Sequence, residues 1–167
     1  MIGESSARLG LPLLHAGQAG KELTHNEALQ MLDLVVAGGA EALGVDAPPA
    51  TPAVGQVWIV GPTPTGTWAG RAGRLAGWTA AGWRFVPPVE GLTVWIVAQK
   101  LHALFTGGAW VVGEARVAKL LVGGVPVIGA RQPAITTPTG GATVDAEART
   151  ALADVLAALR AHGLISS

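Results

Sequence analysis

The sequence predicts a mainly β fold with an α-helix near each end, and three observations predict it. The 167 residues include 24 glycines and 11 prolines, about a fifth of the chain, which divide it into short pieces. Between residues 54 and 128, short runs of apolar or β-branched residues are separated by Gly, Pro and Thr. Helix-start signals stand on either side of this region. We expect antiparallel hairpins that form a small sheet, a sandwich or a barrel.

The same pattern divides the chain into four segments. Residues 1–47 are predicted to form an N-terminal arm and helix that serve docking or oligomerisation. Residues 48–130 are predicted to form the antiparallel β body. A linker over 131–142 then leads to a C-terminal helix within 143–167.

The N-terminal arm is apolar but interrupted by Gly10 and Pro12, which suits an extended segment laid against a neighbour or the chain's own body. Its candidate docking residues are Leu11, Leu13 and Leu14.

A capping box, from Thr24 to Glu27, predicts that a helix begins at Thr24. The helix is expected to run to Ala37, to bury a face containing Leu32 and Val35, and to stop at the glycines that follow.

Eight strands are predicted in the β body, and most of their connections have hairpin length. They are Gln56–Val60, Gly73–Trp78, Trp83–Val86, Leu92–Ala98, Leu101–Phe105, Trp110–Val112, Val117–Val122 and Val125–Ile128.

A weak internal repeat supports these hairpins. Residues 78–83 and 105–110 share the order aromatic, threonine, small residues, tryptophan. A ring at each end of a tight turn lets the two rings pair across the hairpin. Gly123 and Gly124 form a further two-residue turn, since both can take positive φ.

The C-terminal helix is expected to begin near Thr143–Asp145 and to end at Gly163. Its apolar residues Leu152, Val155 and Leu159 fit a heptad seam and are candidates for oligomer contacts. Two heptads leave two alternatives open, packing on the chain's own body or on a symmetry mate.

The charge balance excludes several partner classes. Eleven basic residues equal eleven acidic ones, which leaves no positive field for nucleic acid. Neither a signal peptide nor a membrane span is present in the pattern, so we expect synthesis in the cytoplasm and no membrane insertion. Half of the residues are hydrophobic and only 13% are charged, which predicts a homo-oligomer. The composition does not set the number of copies, and a trimer and a pentamer are both open.

The polar residues predict no catalysis, no cofactor and no metal site. The four histidines are far apart, cysteine is absent, and nucleophile and nucleotide-binding motifs are missing. A glycan-degrading enzyme remains the less favoured alternative, with Asp46, Glu90 and Glu114 as its only acids in or beside the sheet region.

Six tryptophans without any tyrosine are the most distinctive feature of the composition. They are expected to fill the core of a thin sheet structure, since each ring can bury about 150–250 Å². The alternative is that Trp68 or Trp78 lies partly exposed and offers an apolar plate to a sugar ring or a partner protein. The candidate contact residues are Trp68, Trp78, Trp83 and Trp110.

Several short stretches resemble a phage-derived domain family of alphaproteobacterial prophages and gene transfer agents. They are Leu9-Gly10-Leu11-Pro12-Leu13-Leu14, Ala16-Gly17-Gln18-Ala19, Thr24-His25-Asn26-Glu27-Ala28-Leu29, Pro48 to Gly55, Trp58-Ile59-Val60-Gly61, Gly66-Thr67-Trp68-Ala69-Gly70 and Gly82-Trp83-Arg84-Phe85. The resemblance implies a virion protein of the head-spike or fibre type, assembled into a phage-like particle, which helps the particle adhere to polysaccharide on the recipient cell.

The expected function is therefore a structural one. We expect a head-spike or fibre-base subunit whose partners are further copies of itself, capsid or other spike and fibre proteins, and capsular polysaccharide. The alternative is a carbohydrate-binding receptor-recognition module of a tail or head fibre.

Overall fold

The computed structural model describes residues 5–15, 17 and 21–166. Within these ranges it contains two helices and ten strands in three sheets, none of which closes on itself. The predicted fold class, mainly β with a helix near each end, is confirmed. Ala16, Gln18 and Ala19, which carry part of the family resemblance, lie outside the described residues.

The chain divides into two compact units, Met1–Glu114 (unit 1) and Ala115–Ser167 (unit 2). This division passes through the predicted β body of residues 48–130, because the last two predicted strands belong to unit 2.

Unit 1 contains helix α1 (Lys21–Val36) and two four-stranded sheets. Sheet I has the order β2-β3-β4-β5, and its strands are β2 (Leu43–Val45), β3 (Val57–Val60), β4 (Leu75–Thr79) and β5 (Gly82–Val86). Sheet II has the order β1-β6-β7-β8, and its strands are β1 (Gly39–Ala40), β6 (Thr93–Ile96), β7 (Leu101–Thr106) and β8 (Ala109–Val112).

The predicted hairpins are antiparallel, but each sheet also has a parallel edge strand that the sequence did not reveal. β1 pairs in parallel with β6, and β2 pairs in parallel with β3. Two or three residues are too few to show an alternating pattern. The stretch after the first helix was therefore not recognised as strand.

The core of unit 1 lies between the two sheets and under α1. Sheet I contributes Val57, Ile59 and Leu75, whereas sheet II contributes Ala40, Val94, Ile96 and Ala103, and α1 adds Leu34. Gly77 of β4 makes the helix contact possible, because a Cβ there would overlap the side chain of Leu34.

The capping box is wrong, and the predicted helix face is right only in part, because Val35 packs against the core of unit 1. α1 already begins at Lys21, so Thr24 lies inside it. Glu27 makes an ion pair with Arg84 of β5. Leu32 is 53% exposed, whereas Asp33 and Leu34 are buried. The spacing of apolar residues could not reveal this face, because one of its two buried residues, Asp33, carries a carboxylate.

Asp33 fastens the N-terminal arm to α1. Its carboxylate accepts hydrogen bonds from the Ser6 hydroxyl (2.8 Å) and from the backbone N–H groups of Arg8 (3.0 Å) and Leu9 (2.7 Å). Asn26 holds the far end of the arm through the N–H (2.8 Å) and the C=O (2.9 Å) of Leu14. These bonds satisfy backbone groups that have no sheet partner. The arm therefore lies on its own chain.

Unit 2 contains sheet III, the hairpin of β9 (Leu120–Val122) and β10 (Val125–Ile128), followed by α2 (Ala146–Ala161). Gly123 and Gly124 connect the strands with φ of 57° and 81°, as the predicted turn requires. Asp145 caps α2 by accepting from the N–H of Ala148 at 2.8 Å, which confirms the predicted helix start.

Candidate functional site

Three of the four candidate tryptophans come together on one face of sheet I, where they form an aromatic cluster with Trp58. Trp83 is at its centre, 5.0 Å from Trp68, 5.0 Å from Trp78 and 5.7 Å from Trp58 between ring centroids. These rings meet edge-on, the favourable arrangement for aromatic quadrupoles. Trp78 and Trp83 are also register partners across the β4–β5 hairpin, as the repeat predicts.

Trp68 is not available as a contact plate. Its exposed fraction is 0%, because the short 3-10 turn Gly66–Trp68 turns its ring into the space beside Trp58 and Ala76. Of the two tryptophans offered as a partly exposed plate, Trp68 instead fills the core, which was the other prediction for these rings. Trp78 and Trp83 are half-buried, so only the rim of the cluster faces solvent.

Trp110 lies apart from this cluster, on β8. It pairs with Phe105 across the β7–β8 hairpin at 5.3 Å, which confirms the second copy of the repeat. Its indole N–H donates to the carbonyl of Gly73 at 2.8 Å. This bond joins the second hairpin to the loop before β4, so Trp110 has a clear structural role.

The exposed aromatic side chain is Trp95 of β6, a residue that sequence reasoning did not select. It is 39% exposed, and its ring meets the imidazole of His102 edge-on at 4.9 Å. The two residues are register partners on the outer face of sheet II. The signal was present in the alternation of β6, because Val94 and Ile96 point into the core and Trp95 must then point outward.

Leu104 and Val111 extend this outer face, since they are register partners on the neighbouring strands. At its other edge, the guanidinium of Arg8 lies over Gly39, the register partner of Trp95, and donates to the Gly39 carbonyl at 2.8 Å. Burial lowers the pKa of Arg8 from its ordinary value, while the nearby Asp33 and Glu41 raise it. We call Trp95, His102, Leu104 and Val111 the sheet II outer face.

Two of the three candidate acids of a glycan-cleaving site, Asp46 and Glu90, hold loops. Asp46 accepts from the N–H (2.9 Å) and the hydroxyl (2.7 Å) of Thr63. Glu90 accepts from the Thr106 hydroxyl (2.6 Å) and the Gly107 N–H (3.0 Å). Among the described residues, no three His, Asp or Glu side chains converge as metal ligands.

The candidate docking residues are divided between the two units. Leu11, Leu13 and Leu14 are half-buried on the arm. In α2, Leu152 and Val155 are 44% and 54% exposed, and Leu159 is half-buried. Leu156, on the adjoining side of the helix, is the buried one at 3%.

Unit 2 as a whole leaves most of its large apolar side chains in water. In its described part only Leu156 and Ile165 are buried. Twelve others are exposed by more than a third, namely Val117, Leu120, Leu121, Val122, Val125, Val127, Ile128, Ile135, Val144, Leu152, Val155 and Leu164. A folded domain of this size ordinarily buries most such residues.

The family described as "Protein of unknown function (DUF2793)" matches residues 25–111, more than half of the chain. The chain belongs to this family. The matched region includes nearly all of α1 and every strand of sheets I and II, so it coincides with the body of unit 1. A search of curated proteins gave no match. In the described part of the chain, neither helix is long and apolar enough to cross a bilayer.

Proposed function

We propose that this protein is a structural subunit of a virion-like particle, a head-spike or fibre base, and that it works as a homo-oligomer. The observation that carries the proposal is the contrast inside unit 2 between twelve exposed and two buried large apolar side chains. Apolar patches of this extent mark surfaces that a partner covers. A protein whose apolar surface is covered by neighbouring subunits is a component of an assembly.

The kind of assembly rests on the stretches that resemble proteins of prophages and gene transfer agents. Most of them are in unit 1, where Trp58, Trp68 and Trp83 build the aromatic cluster. A rigid β body carrying an apolar attachment element suits a projection fixed to a particle.

Electron cryomicroscopy of particles from a producing culture tests this proposal, with antibody labelling of the chain as a second readout. We expect the protein at a fixed, repeated position on the particle surface. Particles that form normally and contain none of the chain would overturn the proposal.

A second candidate function, recognition of surface polysaccharide, is favoured by the sheet II outer face. An exposed tryptophan offers an apolar plate to the C–H face of a sugar ring, and the adjoining imidazole can exchange hydrogen bonds with hydroxyls. Individual contacts of this kind are weak, but display of many copies on one particle strengthens them.

A pair of variants at Trp95 tests this second function through binding of the oligomer to encapsulated cells. Trp95→Ala removes the plate and is expected to weaken binding at least about tenfold, whereas Trp95→Phe keeps an aromatic ring and most of the binding. Equal binding by the wild-type protein and Trp95→Ala would show that the sheet II outer face does not bind the polysaccharide.

A further inference from the structure

We infer that sheet III and α2 form the contact between copies of this chain, and that each hairpin lies between two neighbouring copies in a closed ring of three or more. This inference rests on the proposed function and identifies both the oligomer surface and its occupant. The N-terminal arm, the other predicted docking element, is satisfied by its own chain through Asp33 and Asn26.

The first step concerns the hairpin itself. A two-stranded hairpin alone is marginally stable in water at best. Here every residue of β9 and β10 is exposed, so no other part of unit 2 covers the hairpin. Yet its side chains are leucine, valine, isoleucine and proline, which is the composition of a buried strand. The sequence is therefore that of a sheet enclosed by other chains.

The second step concerns the two faces of the hairpin. Register pairs place Leu120 with Ile128 and Val122 with Val125 on one face, which we call face A. Leu121 and Pro126 are paired on the opposite face, face B. Both faces are thus apolar.

This geometry limits the symmetry. In a two-fold dimer both copies use the same patch, so one face of each hairpin would stay in water. A hairpin that meets one neighbour through face A and another through face B is covered on both sides. Such a heterologous contact forms a ring of three or more copies when the rotation between neighbours closes, and an open filament when it does not. We assign the closed ring.

The third step concerns α2. The spacing of Ala148, Leu152, Val155 and Leu159 places leucine at both a positions and Val155 at a d position. Leucine at a with a β-branched residue at d favours three or four helices over two. The seam is exposed at Leu152 and Val155, so it is open for such pairing.

The fourth step is the amount of surface. Fully burying one aliphatic side chain removes about 60–120 Å² from water. The twelve exposed side chains of unit 2 are 38% to 66% exposed, so together they offer on the order of 500 Å² of apolar surface. A standard interface buries about 800 Å² per partner, about two-thirds of it apolar between identical subunits, which is also on the order of 500 Å². Eight of the twelve side chains lie on sheet III and α2. Unit 2 therefore carries about the apolar surface of one standard interface, which the ring divides between two smaller contacts in each copy.

Sedimentation equilibrium of the purified full chain, from about 1 to 100 µM, tests the inference with a matched pair of substitutions. Val125 on face A is 63% exposed and Val89 in unit 1 is 66% exposed. In a lone chain, lysine is tolerated equally at both positions. We expect wild type and Val89→Lys to form trimers or larger closed oligomers, and Val125→Lys to weaken association at least about tenfold.

Leu121→Lys tests the ring specifically, because it places the charge on face B. It is expected to weaken association as Val125→Lys does. A wild-type chain that stays monomeric or stops at a dimer would overturn the inference, and so would unchanged association of either variant. A monomer that still incorporates into particles would refute self-association but not the structural role. An oligomer absent from particles would refute the virion role alone.

Discussion

Units 1 and 2 both contain many apolar residues, but they differ in how many of these residues they bury. Among the described residues, unit 1 buries twelve apolar side chains and leaves nine large ones exposed, whereas unit 2 buries two and leaves twelve exposed. Unit 1 has two sheets and a helix that cover one another, so its apolar strands find partners within the chain. Unit 2 has one hairpin and one helix, which cannot enclose a core of their own. The number of layers therefore decides which apolar segments fold inward and which stay exposed.

Loss of Trp68 is expected to have the largest effect on the stability of the chain. Trp68→Ala empties a fully buried ring site in the aromatic cluster and should lower the free energy of unfolding by about 3–5 kcal/mol. Urea denaturation followed by circular dichroism measures it. Trp95→Ala is the matched control, and because Trp95 is 39% exposed its cost should be smaller, about 2 kcal/mol. Equal costs would mean that burial of Trp68 in the aromatic cluster adds nothing to the stability of unit 1.

Removal of the Asp33 carboxylate is the next largest expected effect. Asp33→Ala leaves the Ser6 hydroxyl and the N–H groups of Arg8 and Leu9 without their acceptor, and should cost about 2–3 kcal/mol. Hydrogen exchange should show faster exchange at Arg8 and Leu9. Asp154→Ala, which removes an exposed carboxylate from α2, is the control and should change neither quantity. Unchanged arm protection in Asp33→Ala would show that the carboxylate does not fasten the arm.

The smallest expected effect concerns the cap of α2. Asp145→Ala removes the bond to the N–H of Ala148 and should destabilise the helix by about 1 kcal/mol, while Asp145→Ser keeps an acceptor and most of that energy. Far-ultraviolet circular dichroism of the full chain measures the loss. A decrease in helicity for the serine variant as large as for alanine would argue against capping by this side chain.

Local signals in the sequence predicted local structure well. Eight strands, the Trp78–Trp83 and Phe105–Trp110 pairs, the Gly123–Gly124 turn and the Asp145 cap all depend on residues close together in the chain, and all are present. The misses depend on distant partners. Leu34 is buried because Gly77, in another element, leaves room for it, and Asp33 is buried because the arm supplies its donors.

The candidate site was less predictable for the same reason. Counting tryptophans indicated an aromatic contact surface, but the burial of each ring depends on which element covers it. The 3-10 turn places Trp68 against Trp58 and Ala76, whereas no described element covers Trp95. Strand alternation in β6 indicated the exposed ring of Trp95, which the number of tryptophans could not do.

The central claim is that unit 2 is stabilised by other copies while unit 1 is stable by itself. Hydrogen exchange of the full chain at two protein concentrations, about 1 and 100 µM, tests it most directly. The account predicts that protection of Leu120–Ile128 and of α2 rises with concentration, whereas protection of β3, β4 and β6 stays constant. Protection of the hairpin that is high and identical at both concentrations would contradict it.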